Sequence, residues 1–283
     1  MVEPSAAPGA PASAPPSLLV VVAHPDDETF GCGSVIAAAA ARGARVTVVC
    51  ATRGEAGEPS AHAGPIGADL GTTREAELRE AARLLGASAV EVLEYRDSGF
   101  DGPPAPATLC ATEPEVLVAA VAEVVARVQP HAVVTLDGSD GHRDHVHLRD
   151  ATTAAVVHAG RPGTRLYHSC LPNSLMRRWL DEMRRLRPDT AYLGLDPATL
   201  GRADADLTTV VDVTAHLELR EAAIAVHRSQ ASPFDGLSPD LRRAFLATDH
   251  LVRVLPAWPG GPVETELDLA GGGPTVGPDS GAG

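Results

Sequence analysis

No lysine occurs in the 283 residues, so all 23 basic side chains are arginine. A Schiff-base enzyme, a pyridoxal-phosphate enzyme or a Walker-type phosphate loop each needs a lysine amine at its reacting centre, and none can be built here. Aromatic residues are also few: two Trp, three Tyr and four Phe. The core must therefore come from Ala, Val and Leu, and a ligand site is expected to offer few rings on which a sugar or base can stack. Positive charge is outweighed by 37 acidic residues, and the formal charge of -14 repels a phosphate backbone and an anionic membrane surface. No nucleic acid and no membrane is expected as a partner. Long apolar runs are missing, since Leu18 to Ala23 and Val35 to Ala41 fall far short of the ~20 residues that cross a bilayer. The opening MVEPSAAPGAPASAPP lacks the basic start and apolar stretch of a secretory signal, which makes the cytoplasm the expected compartment. Cys32, Cys50, Cys110 and Cys170 lie at no metal-like or paired spacing and read as buried thiols.

What is present is an alternation of strand and helix patterns. Leu18 to Ala23, Ala44 to Cys50, Val90 to Leu93 and Ala132 to Leu136 are short Val-rich runs that read as strands buried on both faces. Gly33 to Ala41, Thr72 to Leu85 and Glu113 to Val128 carry apolar residues at helical spacing, and Gly43, Gly86 and Pro130 stop them. A helix from His145 to His158, a strand near Arg165 to His168 and a helix from Asn173 to Arg187 follow. The remainder is less regular, with strands expected at Leu207 to Val213 and His250 to Leu255 and helices at Ala215 to His227 and Pro239 to Ala247. The pattern predicts an α/β fold, a Rossmann-like, mostly parallel doubly wound sheet flanked by helices. One domain is expected over residues 17–256, between a disordered tail at 1–16 and a flexible tail at 257–283.

Two segments carry chemistry. Ala23-His24-Pro25-Asp26-Asp27-Glu28 sits where the first buried strand gives way to a helix, the edge at which open α/β sheets bind ligands. Helix capping by Asp27 or Thr29 accounts for part of it, but two adjacent carboxylates cannot both be caps. Asp137-Gly138-Ser139-Asp140-Gly141-His142-Arg143-Asp144-His145-Val146-His147 follows the fourth strand. If the helix has begun by His142, then His142 and His145 share one face and His147 points elsewhere; a later start would make His147 the rival to His142. In the usual doubly wound order the first and fourth strands are neighbours where the winding reverses, so the two loops should meet in one crevice.

The ligand arithmetic suits zinc. His24, Asp27 and His145 supply two imidazoles and one carboxylate and leave the fourth position for water, the pattern of a catalytic site, although Fe2+ or another divalent ion would also be accepted. Asp26 is then free to act as general base and later as acid, His142 to stabilise an oxyanion, and Asp144 to accept the second N–H of a liganding histidine.

These residues resemble those of the PIG-L/LmbE-like N-acetylglucosaminyl de-N-acetylases, zinc hydrolases on a Rossmann-like sheet that remove acetyl groups from amino sugars. Thr52-Arg53-Gly54-Glu55-Ala56-Gly57 is similar to the family's T-x-G-E-x-G loop, Arg74 with Glu77 to its R-x-x-E helix start, and His227-Arg228-Ser229-Gln230 to its late H-x-S-Q segment. The resemblance implies zinc ligands at His24, Asp27 and His145, a general base at Asp26 and an intermediate-stabilising histidine at His142. Arg143 departs from it by standing where the family usually has Pro; on a helix it should point away from the metal, towards substrate or another subunit. Arg96-Asp97-Ser98-Gly99 resembles the corresponding loop of the mycothiol-pathway deacetylase and the mycothiol-conjugate amidase.

Arg53, Glu55, Arg74, Arg96 and Asp97 are accordingly the candidates for holding substrate. Each has a plain alternative: Arg74 can pair with Glu75 or Glu77 on its own helix, and Asp97 and Ser98 can bond their own backbone in a turn. His62 lies in a Gly/Pro/Ala loop with the composition of a lid. The expected partner is a small amino-sugar substrate, with a homo-oligomer left open. A conjugate amidase is the alternative within the same chemistry, and a non-catalytic sugar-binding or regulatory protein is the alternative outside it. A nicotinamide enzyme is disfavoured because Gly31-Cys32-Gly33 follows an acidic pair that would repel a pyrophosphate.

Overall fold

The computed structural model describes residues 14–57, 59–60, 69–100 and 102–269. Its seven strands are β1 (Ser17–Val22), β2 (Arg45–Thr52), β3 (Ala89–Tyr95), β4 (Ala132–Leu136), β5 (Arg165–Cys170), β6 (Thr209–Asp212) and β7 (Thr248–Leu255). They form one sheet in the order β3-β2-β1-β4-β5-β7-β6. The first five in that order run parallel, while β7 is antiparallel to both β5 and β6. The result is a mostly parallel, mixed α/β sheet with β1 and β4 side by side at the point where the winding reverses.

The alternation of side chains along β1 builds two cores. Leu18, Val20 and Val22 pack with Ile36 of α2 (Gly33–Ala41) and Leu78 of α3 (Leu70–Leu84). Leu19 and Val21 pack on the other face with Leu117 and Val121 of α4 (Pro114–Val128) and Leu148 of α5 (Arg143–Ala159). Each such side chain contributes about 1.5–3 kcal/mol by leaving water. Helix ends follow local chemistry: Asp69 Oδ1 accepts the Thr72 N–H at 2.6 Å before α3, and Pro114 occupies the first turn of α4, where its missing N–H costs nothing. Ahead of α2 lies the single turn α1 (Asp27–Phe30), which carries the acidic motif.

A third cluster joins α6 (Asn173–Leu186) and α8 (Pro239–Leu246), with Met176, Trp179, Met183, Phe234 and Phe245 among its members. Between them α7 (Leu217–Ile224) runs against α2 and α3.

The boundary expected after Pro256 is corrected by the packing of residues 257–269. Leu267 and Leu269 are buried in the first core, and Glu264 bridges to Thr209 and pairs with Arg253 at 2.5 Å. Asp268 pairs with Arg165. Gly and Pro around this segment give it the composition of a tail, but its two leucines find a sheet face to cover. Among the described residues no helix is long and apolar enough to cross a membrane. The loop holding His62 and most of the N-terminal tail lie outside the described residues.

Candidate active site

The C-terminal ends of β1 and β4 bring His24 and His145 together from positions 121 residues apart. His24 Nδ1 lies 3.3 Å from His145 Nε2, and Asp27 Oδ2 lies 3.5 Å from the first and 3.2 Å from the second. A tetrahedron with metal–ligand bonds of about 2.0–2.1 Å has edges of about 3.3 Å, so this triangle has the size of one face of a zinc site.

The outer nitrogens settle what the inner ones present. His24 Nε2 is 3.1 Å from Asp144 Oδ2 and 3.4 Å from Asp97 Oδ1, and His145 Nδ1 is 2.6 Å from Asp140 Oδ2. With those N–H groups donated to carboxylates, His24 Nδ1 and His145 Nε2 face each other as lone pairs beside a carboxylate oxygen. A cation is what such a convergence accommodates, and the donor set therefore fits a divalent metal. Electrostatics give the same picture in proton form. Burial opposes a charge on either ring, but Asp140 and Asp27 raise His145 to about 10, and Asp144, Asp27 and Asp97 raise His24 well above its ordinary value.

His142 is placed differently from the expectation of a residue inside the helix. It is the N-cap of α5, and its Nδ1 accepts the Asp144 N–H at 3.2 Å. The ring proton is thereby left on Nε2. Burial and the neighbouring His24 and His145 lower its pKa to about 4, so His142 is a neutral donor at pH 7. Its ring stacks on His145 with centroids 4.8 Å apart. His147 turns away to Thr112 O at 3.1 Å and does not line the crevice.

Asp26 holds a backbone φ of 124°, a conformation that L residues adopt only under compulsion. The compulsion is visible: the Asp26 N–H donates to Glu28 Oε2 at 2.9 Å, and its carbonyl accepts from Thr29 and Phe30. Glu28 is in turn fixed by His227 at 2.7 Å. Burial raises the Asp26 carboxyl to about 6, against the opposing pull of Arg74.

Arg74 does not pair within its own helix, the alternative left open beside a role at substrate. It donates to Asp26 Oδ2 at 3.0 Å, to Pro25 O and to Gly54 O, while Glu77 instead receives Ser229. The glycines of the Thr52 to Gly57 loop follow from this path. A Cβ at Gly54 or Gly57 would lie 2.3 or 2.2 Å from Arg74 Nη1. Arg74 thus stands at the cavity wall with its guanidinium bonded to Asp26, Pro25 and Gly54.

Three other substrate candidates do not reach the crevice. Arg53 pairs with Glu75 and Glu94 on the surface, Glu55 Oε2 accepts the Asp97 N–H, and Arg96 is exposed. None of the three lines the cavity, whereas Asp97 does. Asp97 also makes the expected turn, accepting the Gly99 N–H at 2.8 Å, and its carboxyl falls to about 2 because His24 and Gly99 outweigh burial. Arg143 bends back over the loop after β3 and donates to the carbonyls of Ser98, Gly99 and Gly102. Of the cysteines, Cys32, Cys50 and Cys170 are buried, but Cys110 is half-buried with Sγ 2.9 Å from Asp144 Oδ1.

The cavity in front of these groups measures about 1040 Å³. Sequence reasoning gave no role to Asp140, although a carboxylate within five residues of a candidate ligand is a usable signal. It also missed Arg220, a buried side chain of α7 at the cavity wall, where it pairs with Asp249 at 2.9 Å and holds the carbonyls of Thr29 and Phe30. More rings surround the site than the composition suggests, although Trp179, Phe234 and Phe245 are buried in the third cluster. Six of the nine aromatic residues line this one cavity: Phe30, Phe100, Trp179, Tyr192, Phe234 and Phe245.

A mostly parallel α/β sheet that gathers His24, Asp27 and His145 at its switch point, beside the carboxylate of Asp26, has the donors to hold a metal ion at the edge where such sheets bind ligands. The chain belongs to the PIG-L family, whose model, described as GlcNAc-PI de-N-acetylase, matches residues 19–156. It is an enzyme that cleaves an amide by hydrolysis, a de-N-acetylase. A 1D-myo-inositol 2-acetamido-2-deoxy-alpha-D-glucopyranoside deacetylase of Actinosynnema mirum is 35% identical, covering 92% of this chain and 98% of that protein. The protein of the same description from Mycolicibacterium vanbaalenii is 36% identical over 84% of this chain and 88% of its own. The fold is shared with the N,N'-diacetylchitobiose deacetylase of Pyrococcus horikoshii, with a TM-score of 0.53, 24% identity and coverage of 84% of this chain and 83% of that one.

Proposed function

We propose that this enzyme removes the N-acetyl group of an N-acetylglucosamine-type amino sugar, with His24, Asp27 and His145 holding a divalent cation and Asp26 serving as the base. The observation that carries the reading is the convergence of three lone pairs beside a half-buried carboxylate that is not one of them. Zinc suits two imidazoles and a carboxylate best, and Fe2+ is accommodated by the same donors. The named relatives support an N-acetylglucosaminyl glycoside as the substrate class.

When bound, the cation supplies polarisation of the amide carbonyl and a lowered pKa of the attacking water. The protein does the rest. Asp26, with its pKa near 6, takes the proton that water loses as its oxygen bonds to the carbonyl carbon, and returns it to nitrogen as the C–N bond breaks, giving acetate and a free amine. Arg74 keeps that carboxylate ionised and aimed. His142 Nε2–H donates to the oxygen on which negative charge develops. Asp144 and Asp140 fix the tautomers of the two liganding histidines, and Asp97 stands ready for sugar hydroxyls at the cavity wall.

A purely sugar-binding protein would need no base, and Asp26 therefore provides the test. Asp26→Ala should retain metal in elemental analysis and lose about 10²–10⁴-fold in acetate release from N-acetylglucosaminides, the range of a general base. Full activity in Asp26→Ala overturns the mechanism.

A further inference from the structure

Resting on the deacetylase reading above, we propose that Arg143 is a positioning residue for sugar recognition, holding the loop after β3 in the shape that presents the Asp97 carboxylate to the sugar's hydroxyls. Arg143 is the first residue of α5, two positions before His145, and it does not line the cavity itself. It therefore acts on substrate only through what it holds.

What it holds is the cavity-lining part of the loop. Nε of Arg143 donates to Gly99 O at 2.7 Å, Nη2 to Ser98 O at 2.9 Å and Nη1 to Gly102 O. Asp97, Gly99 and Phe100 all line the cavity. The link to the carboxylate is direct, because Asp97 Oδ1 accepts the Gly99 N–H at 2.8 Å. One glycine thus takes the guanidinium on its carbonyl and fixes Asp97 with its amide. The next residue, Phe100, rests its ring against His142 with centroids 5.5 Å apart.

The loop needs such a hold. It leaves the sheet after Arg96 and rejoins it at Thr108, where the two residues form a bridge. Gly99 and Gly102 flank Phe100 with φ of 65° and 72°, and glycine gives up more freedom on ordering than any other residue. Other fastenings lie at the start of the loop: the Asp97 N–H donates to Glu55 Oε2, the Ser98 N–H to Asp144 Oδ2, and Ser98 Oγ accepts the Cys110 N–H. Arg143 carries the hold on to Gly99 and Gly102. A planar guanidinium can address three carbonyls at once, which an ammonium on a flexible stem does poorly. With His142 as the N-cap, Arg143 occupies the helix position at which proline is best accepted, and the proline usual in the family would leave these three carbonyls without this donor.

The same position supplies the test, since Arg143→Pro removes the grip while suiting the helix start. The metal-loaded full chain is assayed with the methyl glycoside of N-acetylglucosamine and with its 3-, 4- and 6-deoxy analogues. The parent should exceed at least one deoxy analogue in kcat/KM by about tenfold or more, the scale of a hydrogen bond to a charged group. Arg143→Pro should narrow that ratio to within about threefold, raising KM for the parent about tenfold with kcat changed less than about threefold. Arg143→Ala should match it, which assigns the effect to the lost side chain. Asp97→Ala should narrow the same ratio, and the double variant should be no less selective than Asp97→Ala alone, because Arg143 works through Asp97. Amide hydrogen exchange at Gly99, Phe100 and Gly102 should quicken in both Arg143 variants. Undiminished selectivity in either Arg143 variant, losses that multiply in the double variant, or unchanged exchange overturns the inference and leaves deacetylation intact. If the wild type releases acetate from none of these sugars, the deacetylase reading fails instead. Calorimetric binding of the methyl glycoside then decides the role of Arg143 alone: about tenfold weaker binding to Arg143→Pro supports it and equal binding overturns it.

Discussion

The two walls of the cavity are made by different means. On one side, side chains from the ends of β1, β3 and β4 are held by directional bonds: His24 by Asp144, His145 by Asp140, Asp26 by Arg74 and Asp97 by Gly99. On the other, Trp179, Phe234 and Phe245 are positioned by packing within one cluster, with a hydrogen bond from Trp179 Nε1 to Pro233 O to orient the indole. Directional bonds fix atoms to within tenths of an ångström, which proton transfer and metal ligation demand. Apolar packing fixes volume and shape, and it tolerates exchange of one hydrophobe for another of similar size. The two walls are thereby held by different kinds of interaction.

Substitutions on either wall should separate these properties. Phe245→Ala removes a side chain that is 3% exposed and should cost about 3–5 kcal/mol of stability in urea unfolding, with metal affinity changed less than twofold. A parallel collapse of metal affinity would show that the walls are one unit. Asp140→Ala should act on the metal side, weakening metal binding in a chelator competition by about 10–100-fold, the usual cost of losing a carboxylate behind a proposed liganding histidine. The smallest effect is a displacement along the pH axis. With ionised Asp26 as the proposed base, kcat/KM should rise with pH through about 6. Arg74 favours the charged form, so Arg74→Gln raises the carboxyl further and moves the acid limb to higher pH. A limb that stays in place would detach Arg74 from the base.

The polar wall was the more legible of the two in the sequence. His24, Asp26 and Asp27 fall within four consecutive positions after a Val-rich strand, and the usual doubly wound strand order goes with the strand–helix alternation, so the meeting of that loop with His142 and His145 can be reasoned from topology. What escaped was pairing at a distance. Arg74 sits three residues from Glu77, which favours a local partner, yet the Gly54 and Gly57 backbones open a path to Asp26 that no periodicity announces. The ring wall was illegible for a related reason. Phe100, Tyr192 and Phe234 come from segments without helical or strand period, and only tertiary packing collects them. Leu267 and Leu269 were lost among Gly and Pro, where composition outweighed two apolar side chains.

The adjacency of β1 and β4 also has a consequence for chain entropy. A cation taken up by His24 and His145 would tie together positions 121 residues apart, a non-covalent staple across nearly half the molecule. Closing so long a loop in the unfolded chain is entropically costly, and a ligand that binds only the closed form returns its binding free energy as folding free energy. Metal occupancy would then act as a quality check on synthesis: the staple cannot close until the fourth strand has been made and docked, and a chain truncated before His145 has nothing to hold it shut.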